Sequence, residues 1–325
     1  MSVTIKDIAK AAGVSYSTVS KALLDSPLVK PKTKAKIKEI ALELGYQPNV
    51  AARSLVSKKS NTIGIVWPTV ERVAHSALIT AINQKLEEHA YTTLISINPL
   101  KDAIKTFSRF RVDGILVFDE TSYIDSIETN VPVITYGIAG STKQYPTVDV
   151  NRKAAIKAAV SYLHNIGHKK IAYIGNLTSE DLFQEEKVAG FTEAITEANL
   201  DNYEYSLLPI TGLDQYDGYL AAKTIIKADR PTAFISGSQD LARGVFRAVH
   251  EMDLRIADDI SIISYDNIPQ KEDLDVPLSI VGVPLATIAS TLCDLLIEVA
   301  NGNSIDSTTI LTPELHITTS CQPLP

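Results

Sequence analysis

The chain has 325 residues, of which 45% are hydrophobic and 21% charged, with a formal net charge of −7. That composition excludes a disordered, collagen-like or coiled-coil chain, and the length predicts two domains or more. The charge is uneven, because residues 1–60 hold eleven basic and four acidic side chains, a surplus of +7, while the other 265 residues carry −14. A basic head on an acidic body suits a nucleic-acid-binding segment, with a solvated lysine-rich surface as the plainer alternative.

No apolar run reaches the roughly 18 to 20 residues of a membrane span, and MSVTIKD is not a basic-then-apolar leader, so a cytoplasmic protein away from the membrane is expected. The two cysteines, Cys293 and Cys321, have no metal-ligand spacing and are expected to be inert thiols.

In chain order, Thr4 followed by Asp7 predicts an N-cap with an acid in the first turn. Ile5, Ile8, Ala9 and Ala12 then carry the apolar stripe of a short helix. Gly13 supplies the backbone freedom for a sharp turn. Ser15 caps a second helix that buries Val19, Ala22 and Leu23 and presents Tyr16, Ser17 and Lys21 on its other side. Pro31 opens a third helix, striped by Ile37, Ile40, Ala41 and Leu44 and followed by Gly45. Two short helices about a glycine turn, closed by a third, have the layout of a helix-turn-helix, whose second helix enters the major groove.

Residues 3–55, VTIKDIAKAAGVSYSTVSKALLDSPLVKPKTKAKIKEIALELGYQPNVAARSL, resemble the DNA-binding head of the lactose/galactose repressor family. The likeness continues more loosely through GIL at 114–116, VPVI at 131–134, IGHKKIAYIG at 166–175, AGF at 189–191 and DDISIISYDNIP at 258–269. It implies a transcription regulator, a repressor in the first instance, whose homodimer binds an inverted-repeat operator and a small effector. It also implies that Tyr16, Ser17 and Lys21 reach base edges, with a phosphate contact for Lys21 and packing beneath the helix for Tyr16 as alternatives. Thr4, Ser15, Thr18, Ser20 and Thr33 are candidates for phosphate contacts or for helix caps.

Residues 47–60 read as a hinge. Pro48-Asn49 is a helix start signal, and Ala51, Ala52, Arg53 and Leu55 follow it. Two turns of helix are too few to stand alone in water, so this segment is expected to fold only between DNA and a partner copy. Asn49, Ala52 and Leu55 are its DNA-binding candidates. The resemblance implies that Leu55 wedges into the minor groove at the operator centre, with packing on the core domain as the alternative.

From Asn61 onward, short apolar runs at 63–67, 92–96, 114–118, 131–135, 170–175, 232–236 and 260–265 alternate with helical patterns at 76–89, 153–166, 185–198, 217–227 and 241–252. That alternation predicts an α/β fold with helices on both faces of parallel sheets. Together with the resemblance it predicts a helix-turn-helix head (1–46), a hinge helix (47–60) and a two-lobed, periplasmic-binding-protein-like core of doubly wound parallel sheets (61–325). The N-lobe is expected at 61–159 plus 284–315 and the C-lobe at 160–283 plus 316–325, with crossings near Val160, Val283 and Leu315. A dimer through lobe faces, including the helix around Ala77, Ala81 and Ile82, is the simplest assembly.

A cleft between such lobes is the expected effector site. Thr69, Glu71, Arg72 and His75 after the first strand, Tyr136 after the fourth, and Gln239 and Asp266 later lie at strand ends, and Lys187 precedes AGF. Compared with the resembled family, Lys187 replaces an arginine, Leu213 a stacking aromatic, Ala74-His75 a pair of aromatics and Ser238-Gln239 an Asn-Asp pair. These departures predict a pocket that is less aromatic and more charged, for a polar sugar-like effector: an amino sugar, phosphosugar or sugar acid.

The six histidines show no HExxH spacing, and neither a Walker loop, a glycine-rich fingerprint nor GxSxG occurs. No catalytic residue, metal or cofactor is therefore expected. The alternatives to a regulator are a cytosolic sugar-binding module without specific DNA recognition and an enzyme of unrecognised type.

Overall fold

The computed structural model describes residues 3–46, 59–119, 128–140, 145–177, 181–200, 206–269, 276–305 and 308–324, and the chain divides into two units between Ser60 and Asn61. The first unit contains α1 (Ile5–Ala12), α2 (Tyr16–Leu23) and α3 (Pro31–Glu43). Thr4 caps α1 in a capping box with Asp7, and Gly13 ends the helix at φ 69°, a left-handed conformation that glycine adopts without strain. Ile8, Val19, Ala22 and Ile37 close a core that the three helices share. Two lysines of α3 brace this core from outside: Lys38 pairs with Asp25, and Lys36 donates to the Ala12 carbonyl at 3.4 Å. Part of the basic surplus thus holds the head together.

The second unit has two sheets. β1 (Thr62–Val66), β2 (Thr92–Ser96), β3 (Gly114–Phe118), β4 (Val133–Tyr136), β5 (Thr147–Asp149) and β10 (Thr309–Ile310) form a parallel sheet in the order β10-β5-β4-β3-β1-β2. On one face α4 (Val73–Glu88) packs with α10 (Leu285–Ala300), and on the other lies α5 (Leu100–Phe110). The second sheet, in the order β11-β9-β8-β7-β6, takes in β6 (Ile171–Ile174), β7 (Ala233–Ser236), β8 (Ser261–Asn267), β9 (Ser279–Pro284) and β11 (Glu314–His316). Only β11 runs antiparallel, against β9. α6 (Arg152–Asn165) and α7 (Leu182–Glu197) cover one face, and α8 (Gln215–Asp229) and α9 (Gln239–Glu251) the other. A Cβ on Gly190 would meet the Lys153 carbonyl oxygen at 2.6 Å, so glycine at this position lets α7 approach α6 closely.

The lobe crossings differ from expectation in one place. Ala155, Ile156, Ala159, Val160 and Leu163 of α6 are all buried in the C-lobe core with Phe191. The first crossing therefore falls at Val150-Asn151, about ten residues before Val160. An apolar helical stripe reads the same whichever lobe it packs against, so the sequence pattern could not place this boundary. The return falls at the β9–α10 junction, and the last crossing between β10 and β11, a few residues before Leu315. Ile82, expected on a dimer face, is fully buried in the N-lobe core.

His168 bridges the Thr232 hydroxyl and the Gln322 carbonyl, each at 3.0 Å, and so anchors the C-terminal segment. Both cysteines are buried, and burial pushes the Cys293 thiol up to about 12. Among the described residues no helix is long and apolar enough to cross a membrane.

Candidate functional site

On the head, α2 buries Val19 and Ala22 and leaves Tyr16, Ser17 and Lys21 exposed, with Tyr16 56% accessible. The three recognition candidates thus share the solvent face of a helix that a well-packed core holds rigid. The Ser15 hydroxyl accepts from the Thr18 N–H at 3.2 Å and bonds the hydroxyls of Ser17 and Thr18, which makes Ser15 a helix cap. Thr4 is likewise occupied, with its N–H and hydroxyl both donating to Asp7. Ser20 is half-buried on α2, and Thr33 lies in the first turn of α3 with its N–H on the Lys30 carbonyl. Asn49, Ala52 and Leu55 lie outside the described residues.

In the second unit, strand ends and helix starts from both lobes converge on one cleft, the arrangement that makes open parallel sheets bind ligands at their carboxyl edges. The N-lobe contributes Arg72, Ala74 and His75 at the start of α4, with Phe118 and Tyr136 at the ends of β3 and β4. From the C-lobe come Arg152 at the start of α6, Phe183, Gln184 and Lys187 along α7, and Tyr265 to Asn267 at the end of β8.

Arg152 is only 2% exposed. Its Nη1 donates to Asp149 Oδ1 at 2.9 Å, and its guanidinium lies 3.4 Å from the centre of the Phe183 ring. Lys187 is buried too; its Nζ donates to the Gly237 carbonyl at 2.8 Å and sits 4.1 Å over the Tyr265 ring. Burial brings the Lys187 ammonium down to about 8, although Asp266 pulls the other way. Burial, with Arg72 and Lys187 nearby, pushes His75 down to about 3, so its imidazole is neutral at neutral pH. Asp266 is raised by burial and lowered by Lys187 and Arg72, and its Oδ2 accepts from the Gln239 N–H at 3.2 Å. Its φ of 91°, at a break in the β8–β9 register, is a conformation that side chains rarely adopt. Such local strain recurs where a side chain is held for a ligand.

Among the described residues, four buried polar atoms on the cleft walls have no hydrogen-bond partner: Arg72 Nε, His75 Nδ1, Arg152 Nη2 and Gln184 Oε1. Folded proteins rarely leave buried polar atoms unpaired, and here several face one space.

Of the nine effector candidates, Arg72, His75, Tyr136, Lys187 and Asp266 line the cleft. The other four do not. Thr69 closes a turn on the Glu71 N–H, Glu71 is exposed, Leu213 packs on the C-lobe core, and Gln239 serves Asp266 through its backbone. The walls carry aromatics as well as charge, since Phe118, Tyr136, Phe183 and Tyr265 all line the cleft. Trp67, 1% exposed, packs edge-on against Phe118 with centroids 4.7 Å apart and so backs this wall. The aromatics come from strand ends and from α7 rather than from the positions compared with the family. Phe118 ends the run GILVF and was legible there. Arg152 carried no signal beyond its place after a buried strand.

Residues 4–49 match the bacterial regulatory proteins of the lacI family, and residues 160–321 match a periplasmic binding protein-like domain. A curated relative, the "Probable HTH-type transcriptional repressor ExuR" of Bacillus subtilis (strain 168), is 33% identical over 301 residues, 88% of each chain. The chain belongs to the lacI family of bacterial regulatory proteins. Catabolite control protein A of Priestia megaterium is 29% identical over 324 residues, 96% of this chain and 97% of its own length. In fold, this lacI-family chain is similar to the lac repressor dimer solved bound to operator and the anti-inducer ONPF. The two superpose with a TM-score of 0.82 at 23% identity, over 99% of this chain and 100% of the other. The protein is a transcription regulator and not an enzyme.

Proposed function

We propose that this regulator is a repressor whose homodimer binds an inverted-repeat operator and is controlled by a sugar-like effector carrying an acidic group. The unpartnered buried atoms of the cleft carry the proposal. Two of the four, Arg72 Nε and Arg152 Nη2, are cationic donors, and Lys187 beside them has donor capacity beyond its bond to Gly237. Asp149, Asp266 and, against Arg72, Asp240 balance the charge of these walls, and the unpaired N–H donors of Arg72 and Arg152 are left for a carboxylate or phosphate to accept from. The ammonium of an amino sugar would meet guanidinium donors rather than acceptors, so of the three expected classes that one is disfavoured. Gln184 Oε1 and Asp266 remain to accept from sugar hydroxyls, and the aromatic walls suit the apolar faces of a pyranose ring.

Relatives support the DNA half of the reading, since one similar protein is named a transcriptional repressor and a similar fold was solved on operator. The exposed Tyr16, Ser17 and Lys21 are the proposed base readers, and Asn49, Ala52 and Leu55 the proposed hinge contacts.

The test is thermal melting of the full-length protein against sugar acids, phosphosugars, amino sugars and neutral sugars. A ligand of the folded state at 100 times its Kd stabilises by about 2.7 kcal/mol. Sugar acids or phosphosugars are expected to raise the melting temperature by several degrees. A shift with amino or neutral sugars alone would overturn the acidic-effector reading. A cytosolic sugar-binding module without specific DNA recognition would show the same melting shift but no preference for any duplex sequence in titrations.

A further inference from the structure

We propose that Asp240, on the C-lobe helix α9, is a positioning residue that holds the start of α4, and with it Arg72 and His75, over the cleft from the opposite lobe. The hydrogen bond that carries this runs from the Val73 N–H to Asp240 Oδ2 at 3.2 Å, between residues 167 apart in sequence. Val73 is the first residue of α4, and the residue before it, Arg72, makes no side-chain cap. At five other helices local side chains do that work, as Ser15, Asn151, Asp181, Asp214 and Ser238 each cap the helix they precede. For α4 the cap comes from the other lobe.

The charges favour the same arrangement. Asp240 lies in the first turn of α9, so its half-buried carboxylate sits at the amino ends of two helices, where the unpaired N–H groups give partial positive charge. The positive side chains that face it are Arg72, from α4's lobe, and Arg243, from its own helix; Asp214 is the opposing carboxylate. A second cross-lobe contact closes the far side of the cleft. Phe183 of α7 packs into the N-lobe aromatic cluster, 5.3 Å from Phe118 and 6.0 Å from Tyr136. Separating the lobes would strip the cap from α4 and move both cleft-facing side chains away from Lys187 and Asp266. Asp240 thereby raises the fraction of molecules ready to bind, and apparent affinity scales with that fraction.

The positioning role needs no assumption about the ligand; its effect on affinity rests on the acidic-sugar reading above. The experiment is hydrogen exchange on the full-length protein, wild type against Asp240→Ala and Asp240→Asn, followed by melting with D-glucuronate as the probe. In Asp240→Ala, peptides covering Val73–Ser76 are expected to exchange about five to ten times faster, the loss of one cap, and those covering Phe183–Lys187 to accelerate with them. Asp240→Asn keeps an acceptor for the Val73 N–H and is expected to fall between the two. The melting shift with D-glucuronate should shrink in the same order. Faster exchange confined to the first turn of α4, or no change, would overturn the proposal, as would an unaltered glucuronate shift in Asp240→Ala. Faster exchange throughout the body in Asp240→Ala would mark a folding defect, and Asp240→Asn then decides by the same two peptides. If D-glucuronate fails to shift the wild type, the acidic-sugar reading is decided by the wider sugar-acid and phosphosugar panel, and the exchange pattern alone decides the role of Asp240.

Discussion

Lys187, brought down to about 8 by burial, ties the chemistry of the cleft to pH. Between that value and its ordinary 10.5, the unfolded chain keeps a proton that the folded chain has released. The burden of this buried ammonium on stability is therefore complete below about pH 8 and is relieved as pH rises through that window. An anionic effector draws the proton back. Calorimetry near pH 8 to 9 should accordingly show proton uptake, seen as binding heats that differ between buffers, and affinity should fall as pH rises from 7 to 9. Equal heats in all buffers would place the acidic group away from Lys187. Arg152 supplies the companion prediction. Arg152→Met leaves Asp149 the N–H bonds of Val150 and Ala139 but no cation, and a broken buried ion pair costs about 3–5 kcal/mol. Denaturant melts should show that loss, and adding Asp149→Asn should recover only part of it, since the amide keeps an acceptor for one of those two N–H groups, without restoring affinity for the effector.

At the scale of elements, the cap of the recognition helix separates architecture from readout. Ser15→Ala should destabilise the protein by about 1 kcal/mol, and Ser15→Asn, which can still accept from the Thr18 N–H, should restore both stability and operator affinity. Restored stability with weakened operator binding would mean that the hydroxyl touches a phosphate. The helices of the head were legible because each signal is local: a cap, an apolar stripe and a glycine at φ 69° within a dozen residues. Strands β1 to β4 and β6 to β8 were legible for the same reason, whereas the buried β5, only three residues long, and β9, interrupted by Gly282, were not read. α5 and α10 were not read, although each carries an apolar stripe, Ala103, Ile104 and Phe107 on the one and Ile288, Leu292, Leu296 and Val299 on the other. β10 and β11, with two and three residues, exist only through their partners. The cleft was half legible for a related cause. Arg72, His75, Tyr136, Lys187 and Asp266 follow strand ends or a motif, whereas Arg152 and Gln184 matter only through where two separate helices bring them.

At the scale of the whole molecule, regulation is a linkage between two binding equilibria. If an effector lowers affinity for operator, operator lowers affinity for the effector by the same factor. Effector titrations with and without operator duplex therefore give the sign of control, inducer or corepressor, without a reporter gene. The hinge offers a second handle. Leu55→Ala should weaken binding to operator far more than binding to unrelated duplex, and an equal loss on both would remove the minor-groove wedge. Specific and unspecific binding should both fall steeply with salt, since the basic surplus of residues 1–60 meets phosphates in each case.

The tryptophan behind the cleft wall has an optical use. Trp67 is the chain's single tryptophan, it is shielded from water, and its ring abuts Phe118 and His75. The fluorescence of the unmodified full-length protein, excited at the red edge of its absorption, thus comes from one indole at the ligand cleft, with no such emitter in the head. A blue emission maximum that shifts or is quenched on adding a sugar would report occupancy directly. The same signal, followed while operator is added, would show whether events at the DNA are felt at that wall.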